Sequence, residues 1–159
     1  MSLDVNTDAG LKTLADERRA AELFEKRFPG VRYIHTDKST AAKADAVLIR
    51  DDQISRVVLT SCRYNCTRAT LRGAWANEWL LTWRKLMLGA WLAKHLETRL
   101  TGFLYFADED KLLVRQLYDP SIKKWAPFHT ELTETQATVN GGRIKRKNAF
   151  INMDKAIEV

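Results

Sequence analysis

Two clusters of cations and one acid–base stripe are the parts of this sequence best suited to chemistry. Residues 62–73, CRYNCTRATLRG, carry Arg63, Arg68 and Arg72 with Tyr64 among them. Residues 141–147, GGRIKRK, carry Arg143, Lys145, Arg146 and Lys147. Cations at this density neutralise phosphates without reading bases, and an interleaved tyrosine offers a ring on which a base can stack. The plainer expectation for either run is a solvated charged face. The stripe is Glu78, Thr82 and Lys85, spaced i, i+4 and i+7 in an otherwise apolar segment, hence on one side of a helix.

Other familiar constellations are missing. The two cysteines, Cys62 and Cys66, make neither a disulfide framework nor a four-ligand zinc site. They are expected to be ordinary thiols, although Arg63 beside Cys62 would favour its thiolate. His35, His95 and His129 are scattered, with no HxH or HExxH spacing, and no glycine-rich phosphate loop occurs.

The elements that must position these groups follow from pattern and turn signals. Residues 8–28 read as a helix, with Asp8 near its start, a Phe28-Pro29-Gly30 stop, and an apolar face of Leu11, Leu14, Ala21, Phe24 and Phe28. VRYIH, ADAVLI and ISRVVLTS are short apolar or β-branched runs and predict strands, with TDKSTAAK as a loop and RDDQ as a hairpin turn. Residues 67–98 are helical in pattern and hold Trp75, Trp79, Trp83 and Trp91. The strands GFLYFA and KLLVRQLY flank the DED turn at 108–110, and Pro120 ends that pair. HTELTETQATV, the NGG turn at 140–142 and AFINM predict further β structure. Such an order suits an α/β sandwich with a mixed central sheet flanked by helices. One domain is expected over residues 1–159, with a core at about 10–118 and a C-terminal β extension at 119–159.

The ordered pattern in ELFEKRFPGVRYIH, ADAVLIRDDQISRVVLTSCRYN and KLMLGAWLAKHLETRLTGFLYFADEDKLLVRQL resembles the PD-(D/E)XK nuclease superfamily, as found in phages and bacteria. The resemblance implies a restriction-endonuclease-like fold, DNA as the partner with RNA as an alternative, and Mg²⁺-dependent phosphodiester hydrolysis. In that family the Asp opening the second strand is a metal ligand, here Asp45, preceded by Ala44 in place of the usual Pro. The chemistry needs hard oxygen ligands for Mg²⁺ and a lysine to steady the attacking water. Family spacing assigns the second carboxylate and the lysine to positions occupied by Leu59 and Ser61. Leucine cannot ligate a metal and serine carries no charge, so the usual pair is absent.

Three functional expectations compete. The favoured one is a nuclease-like nucleic-acid-binding protein, catalytically impaired, whose cations beside the former cleft hold phosphates. Another is an active deoxyribonuclease with a migrated acid, Glu78 or Glu22, helped by Lys85. A register shifted by two would instead put Arg63 in the lysine position, where it is a poor substitute because it stays protonated. The third is a protein-interaction module. Trp75, Trp79 and Trp83 recur every four residues on a helix apolar over much of its circumference, which predicts packing on the sheet and a homodimer. A formal charge of +6 and a pI of about 9.4 favour a polyanionic partner. With no apolar run near ~18 residues and a polar N-terminus unlike a secretory signal, no membrane span is expected and the cytoplasm is the default compartment.

Overall fold

The computed structural model describes residues 7–37, 42–138 and 141–159. Residues 38–41 of the TDKSTAAK loop and Asn140 of the NGG turn lie outside them. Helix α1 spans Asp8–Arg27. Thr7 caps it by accepting from the Gly10 amide at 3.1 Å, and Asp8 in the first turn with Lys26 and Arg27 in the last suits the helix dipole. Its buried face is Gly10, Glu17, Ala20, Ala21 and Phe24, whereas Leu11, expected inside, is 54% exposed. A charged residue thus lies on the inner face, and the apolar spacing alone does not show why.

Strands β1 (Val31–His35), β2 (Ala46–Arg50) and β3 (Gln53–Arg63) form an antiparallel meander. Asp51 and Asp52 of RDDQ both adopt left-handed φ, +51° and +59°, the backbone of a tight hairpin turn.

The expected helix over 67–98 is not one helix. It divides into α2 (Arg68–Arg72), β4 (Glu78–Thr82) and α3 (Trp83–His95). Ala76 and Asn77 turn the chain at positive φ, and EWLLT then pairs antiparallel with β9 (Gly141–Asn152). The local residues are good helix formers, but a cross-strand partner some seventy residues away overrides that preference. Alternation was present too, since Trp79 and Leu81 are buried while Glu78 and Leu80 are half-buried. Trp75, Trp79 and Trp83 therefore form no helical stripe: a turn, a strand and the first residue of α3 hold them.

Strands β5 (Arg99–Phe106) and β6 (Lys111–Asp119) follow around the DED turn, then β7 (Lys124–Trp125), β8 (Phe128–Thr138), β9 and β10 (Ile157–Glu158). The first sheet runs β1-β2-β3-β5-β6-β10, with β7 also on β6. Its β3–β5 pair is parallel and the rest antiparallel, so the sheet is mixed and the architecture is α/β. The second sheet is β4-β9-β8. The C-terminal segment is no appendage, because Ala149, Ile151 and Met153 are part of the main core.

Two apolar layers sandwich the first sheet. On one face α1 packs Ala20, Ala21 and Phe24 against Val58, Phe103 and Leu112. On the other, α3 and the second sheet pack Leu86, Ala90, Trp79 and Ile151 against Val57, Leu59 and Leu104. The contact is close at Gly102, where an added Cβ would fall 2.3 Å from the Trp79 ring. Among the described residues no helix is long and apolar enough to cross a membrane.

Candidate functional site

Asp45 sits immediately before β2, where its amide donates to the Val58 carbonyl at 3.0 Å. Its Oδ2 accepts from the Thr60 amide at 2.8 Å and lies 2.7 Å from Lys85 Nζ. Lys85 also donates to the Thr60 carbonyl at 3.3 Å. Lys85 reaches this spot because Thr82 ends β4 and at once caps α3, accepting from the Lys85 amide at 3.3 Å. A lysine in a helix's first turn opposes the dipole, and α3 has no acid there. The carboxylate of Asp45 supplies the compensation. Both side chains are about a quarter exposed, 21% for Asp45 and 27% for Lys85, so the pair is screened less than a surface bridge.

A second polar group continues from Thr60 towards α1. The Thr60 hydroxyl lies 2.8 Å from the Tyr33 phenol, which donates to Glu17 Oε1 at 2.7 Å. His35 Nδ1 is 3.5 Å from the same Glu17 oxygen without hydrogen-bonding to it. Burial first, and then the charges of Glu17 and Asp45, hold the Tyr33 phenol well above its ordinary pKa, so it stays neutral and donates. Glu17, Tyr33, Thr60, Asp45 and Lys85 thus form a continuous chain from one face of the sheet to the other. Cys62 adjoins it, and burial pushes its thiol up to about 12. The expected thiolate beside Arg63 is therefore reversed: desolvation outweighs the neighbouring cation.

The other expected site residues are elsewhere. Leu59 is fully buried, and its methyl groups touch the space a side chain at Gly89 would fill. Ser61 is half-buried on β3, next to Thr60. Glu22 is exposed and bonds Arg19 at 3.2 Å, itself clamped on Asp110. Glu78, on β4 rather than a helix, pairs with His129 at 3.2 Å. The expected stripe of Glu78, Thr82 and Lys85 therefore does not form, since a strand carries its first two members.

The first cationic cluster is largely structural. Arg63 donates to the Leu80 carbonyl at 2.9 Å and its guanidinium is buried, which lowers its pKa. Arg68 bonds Asn77 through its side chain and Glu109 through its amide. Lys12 covers the Tyr64 ring at 4.6 Å, and the phenol oxygen is buried. These groups stitch the β3–β4 connection to its surroundings. Arg72, at the end of α2, is exposed.

The second cluster lies on the β8–β9 hairpin. Arg143 bonds Glu134 at 3.1 Å, Arg146 donates to the Thr135 hydroxyl at 3.1 Å, and Lys145 is exposed. Lys147 lies 4.3 Å over the ring of Trp83, the first residue of α3. Beside it, Lys43, Trp83, Arg84, Met87, Leu88 and Trp91 line a shallow groove of about 480 Å³. Lys43 lies 4.9 Å over the Trp91 ring, and Trp91 is 47% exposed. Arg84 directly precedes Lys85 and Lys43 lies two residues before Asp45, so the basic and aromatic groove takes its cations from the segments that carry this pair.

The donor set does not fit the Mg²⁺ that the family resemblance implies. Asp45 Oδ2 is taken by an ammonium and an amide, Glu17 lies behind Tyr33, and Leu59 offers no oxygen. Among the described residues no group of three or more His, Cys, Asp or Glu is arranged to hold a metal ion. Sequence reasoning missed Glu17, Tyr33, Thr60, Lys43 and Arg84. A signal existed for Glu17, which falls at i+7 from Gly10 and i−3 and i−4 from Ala20 and Ala21 on the inward face of α1. Comparison with known proteins yields no matching family model, no matching curated protein and no matching solved structure.

Proposed function

We propose that this chain is a nucleic-acid-binding protein built on a nuclease-like α/β core that no longer hydrolyses efficiently. The reading takes its support from a mixed α/β sheet in the order α1-β1-β2-β3-α2-β4-α3-β5, with β3 and β5 parallel. The observation that carries it is the groove along α3. Three cations, Lys43, Arg84 and Lys147, stand with the indoles of Trp83 and Trp91 beside an ion-paired Asp45. Cations on the rings of exposed Trp91 and half-buried Trp83 suit a phosphate backbone and its bases. An aspartate neutralised by lysine removes the negative charge that would repel phosphate. DNA is the first candidate partner and RNA the second.

The test is fluorescence anisotropy with labelled single-stranded and duplex oligonucleotides, DNA and RNA, at low and moderate salt. Binding should weaken steeply with salt, need no Mg²⁺, survive Asp45→Ala and drop several-fold in Arg84→Glu. Mg²⁺-dependent cleavage abolished by Asp45→Ala would replace this reading with that of an active nuclease. An absence of binding to every oligonucleotide at low salt would end it.

A further inference from the structure

The α3 groove continues past the end of its helix. Trp83, Met87 and Trp91 recur every four residues, with Arg84 and Leu88 beside them, so the groove follows α3 for roughly 12 Å at about 1.5 Å per residue. Beyond Trp83 the same surface passes onto β9. Ala149 and Ile151 face the main core, and side chains alternate along a strand, so Lys147, Lys145 and Arg143 lie on that same face. Lys147 fits that direction, lying 4.3 Å over the Trp83 ring. On the paired strand Leu132 stands opposite Lys147 and Glu134 opposite Lys145. Glu134 bonds Arg143, whereas Leu132 is 63% exposed. Lys43, Arg84, Lys147 and Lys145 are thus spaced along a strip floored by the two indoles, Met87, Leu88 and Leu132.

The floor decides between a duplex and a single strand. A duplex turns its phosphates outward and keeps its base faces stacked inside, so it would lay charge on indole and aliphatic surface that offers it nothing. A single strand exposes base faces between its phosphates and gains from aromatic platforms set among cations. No carboxylate lines the groove to repel the backbone. Each indole carries a cation: Lys147 stands over Trp83 and Lys43, at 4.9 Å, over Trp91, whose ring also lies 3.9 Å from that of His95. A base stacked on an aromatic ring is held more strongly than an exposed ammonium over it. A base can therefore take the ammonium's place while the ammonium moves to the adjoining phosphate, and neither group loses a partner.

We infer that the α3 groove and the adjoining β9 face form a track for single-stranded nucleic acid, in which Trp91 and Trp83 exchange their lysines for bases. The inference rests on the nucleic-acid reading of the α3 groove and adds to it the form of the ligand, the exchange at the rings and the hairpin as part of the surface. Trp91, 47% exposed, is the main platform. Lys43, Arg84, Lys147 and Lys145 take the phosphates, a footprint of about four nucleotides.

The experiment is titration of the full chain with a labelled oligothymidine, an abasic strand carrying the same number of phosphates, and a duplex of the same length, each over a range of salt. The oligothymidine should bind at least about tenfold more tightly than the other two, the gain expected from stacking one base, and it alone should quench tryptophan emission. Trp91→Ala should lower its affinity towards that of the abasic strand, and Trp91→Phe, which keeps a ring, should retain most of it. At about −0.7 per phosphate, the slope of log affinity against log salt should be about −3, and Lys145→Gln should reduce its magnitude by about 0.7. Equal affinity for the abasic strand or the duplex would overturn the inference while leaving the nucleic-acid reading intact. Parent-like affinity in Trp91→Ala, or an unchanged slope in Lys145→Gln, would overturn it in the same way. Binding of none of the three would remove both. Should Trp91→Ala not fold, the three ligands compared on the parent chain decide the matter alone.

Discussion

Replacing Lys85 by Met and Asp45 by Asn, singly and together, tests whether their ion pair organises the site. The pair is 2.7 Å long, about a quarter exposed at each partner, and shared with both backbone groups of Thr60. An exposed pair contributes about 0.2–1 kcal/mol, while breaking a buried one costs about 3–5 kcal/mol. Intermediate burial places each single substitution near 2 kcal/mol. In Lys85→Met the Asp45 carboxylate keeps only the Thr60 amide among these donors. In Asp45→Asn the ammonium loses its anion and again opposes the α3 dipole. The double variant removes both liabilities and should cost less than the sum, with a coupling of about 1 kcal/mol or more. For a chain of this length, 2 kcal/mol lowers Tm by roughly 4–8 °C. Urea denaturation of the four proteins supplies the cycle. Strict additivity within about 0.3 kcal/mol would refute the reasoning and reduce the pair to a surface contact.

Three more outcomes follow from named contacts. Leu59→Glu puts a carboxylate into the core against α3 and should abolish cooperative folding, read by thermal melts; a well-folded Leu59→Glu would contradict the packing. Asp110 is held below its ordinary pKa chiefly by hydrogen bonds from Arg19 and then Tyr105. A depressed carboxylate contributes stability above its unfolded pKa of about 3.9 and loses it as pH falls through the lower folded value. The stability gap between the parent and Asp110→Asn should therefore be constant near neutrality and shrink below pH ~4; a gap that widens with acid would reverse the assignment. Burial of the Cys62 thiol predicts alkylation by iodoacetamide at mildly alkaline pH much slower than that of a free cysteine, read by mass spectrometry; rapid modification would show that the site opens.

The parts legible in the sequence were those with local causes. The β1–β2–β3 meander and the β5–β6 pair follow from short β-branched runs and from turns at Asp51-Asp52 and Asp108–Asp110. The polar stripe points to Lys85, and the structure brings it to Asp45 even though the stripe itself does not form. What was illegible depended on distant partners. EWLLT is a strand only because β9 pairs with it. Arg63 is a core donor only because Leu80 comes beside it. The sequence favours Glu22 over Glu17, whose burial depends on the phenol that reaches it from β1.

The junction at Thr82 has a consequence for how the chain acquires its structure. β4 ends and α3 begins at adjacent residues, and the β4 partner spans Asn148–Asn152. During synthesis, residues 78–82 emerge long before their strand partner exists, carrying the helical preference that local pattern assigns them. Until β9 arrives, this segment is expected to extend α3 backwards through Thr82, turning Lys85 relative to the sheet. Assembly of the Asp45 site is then a late event in a vectorial process, and a chain shortened at residue 140 should show helix-like hydrogen exchange at 78–82. Strand-like protection of those amides in the shortened chain would mean that the segment is poised for pairing from the start.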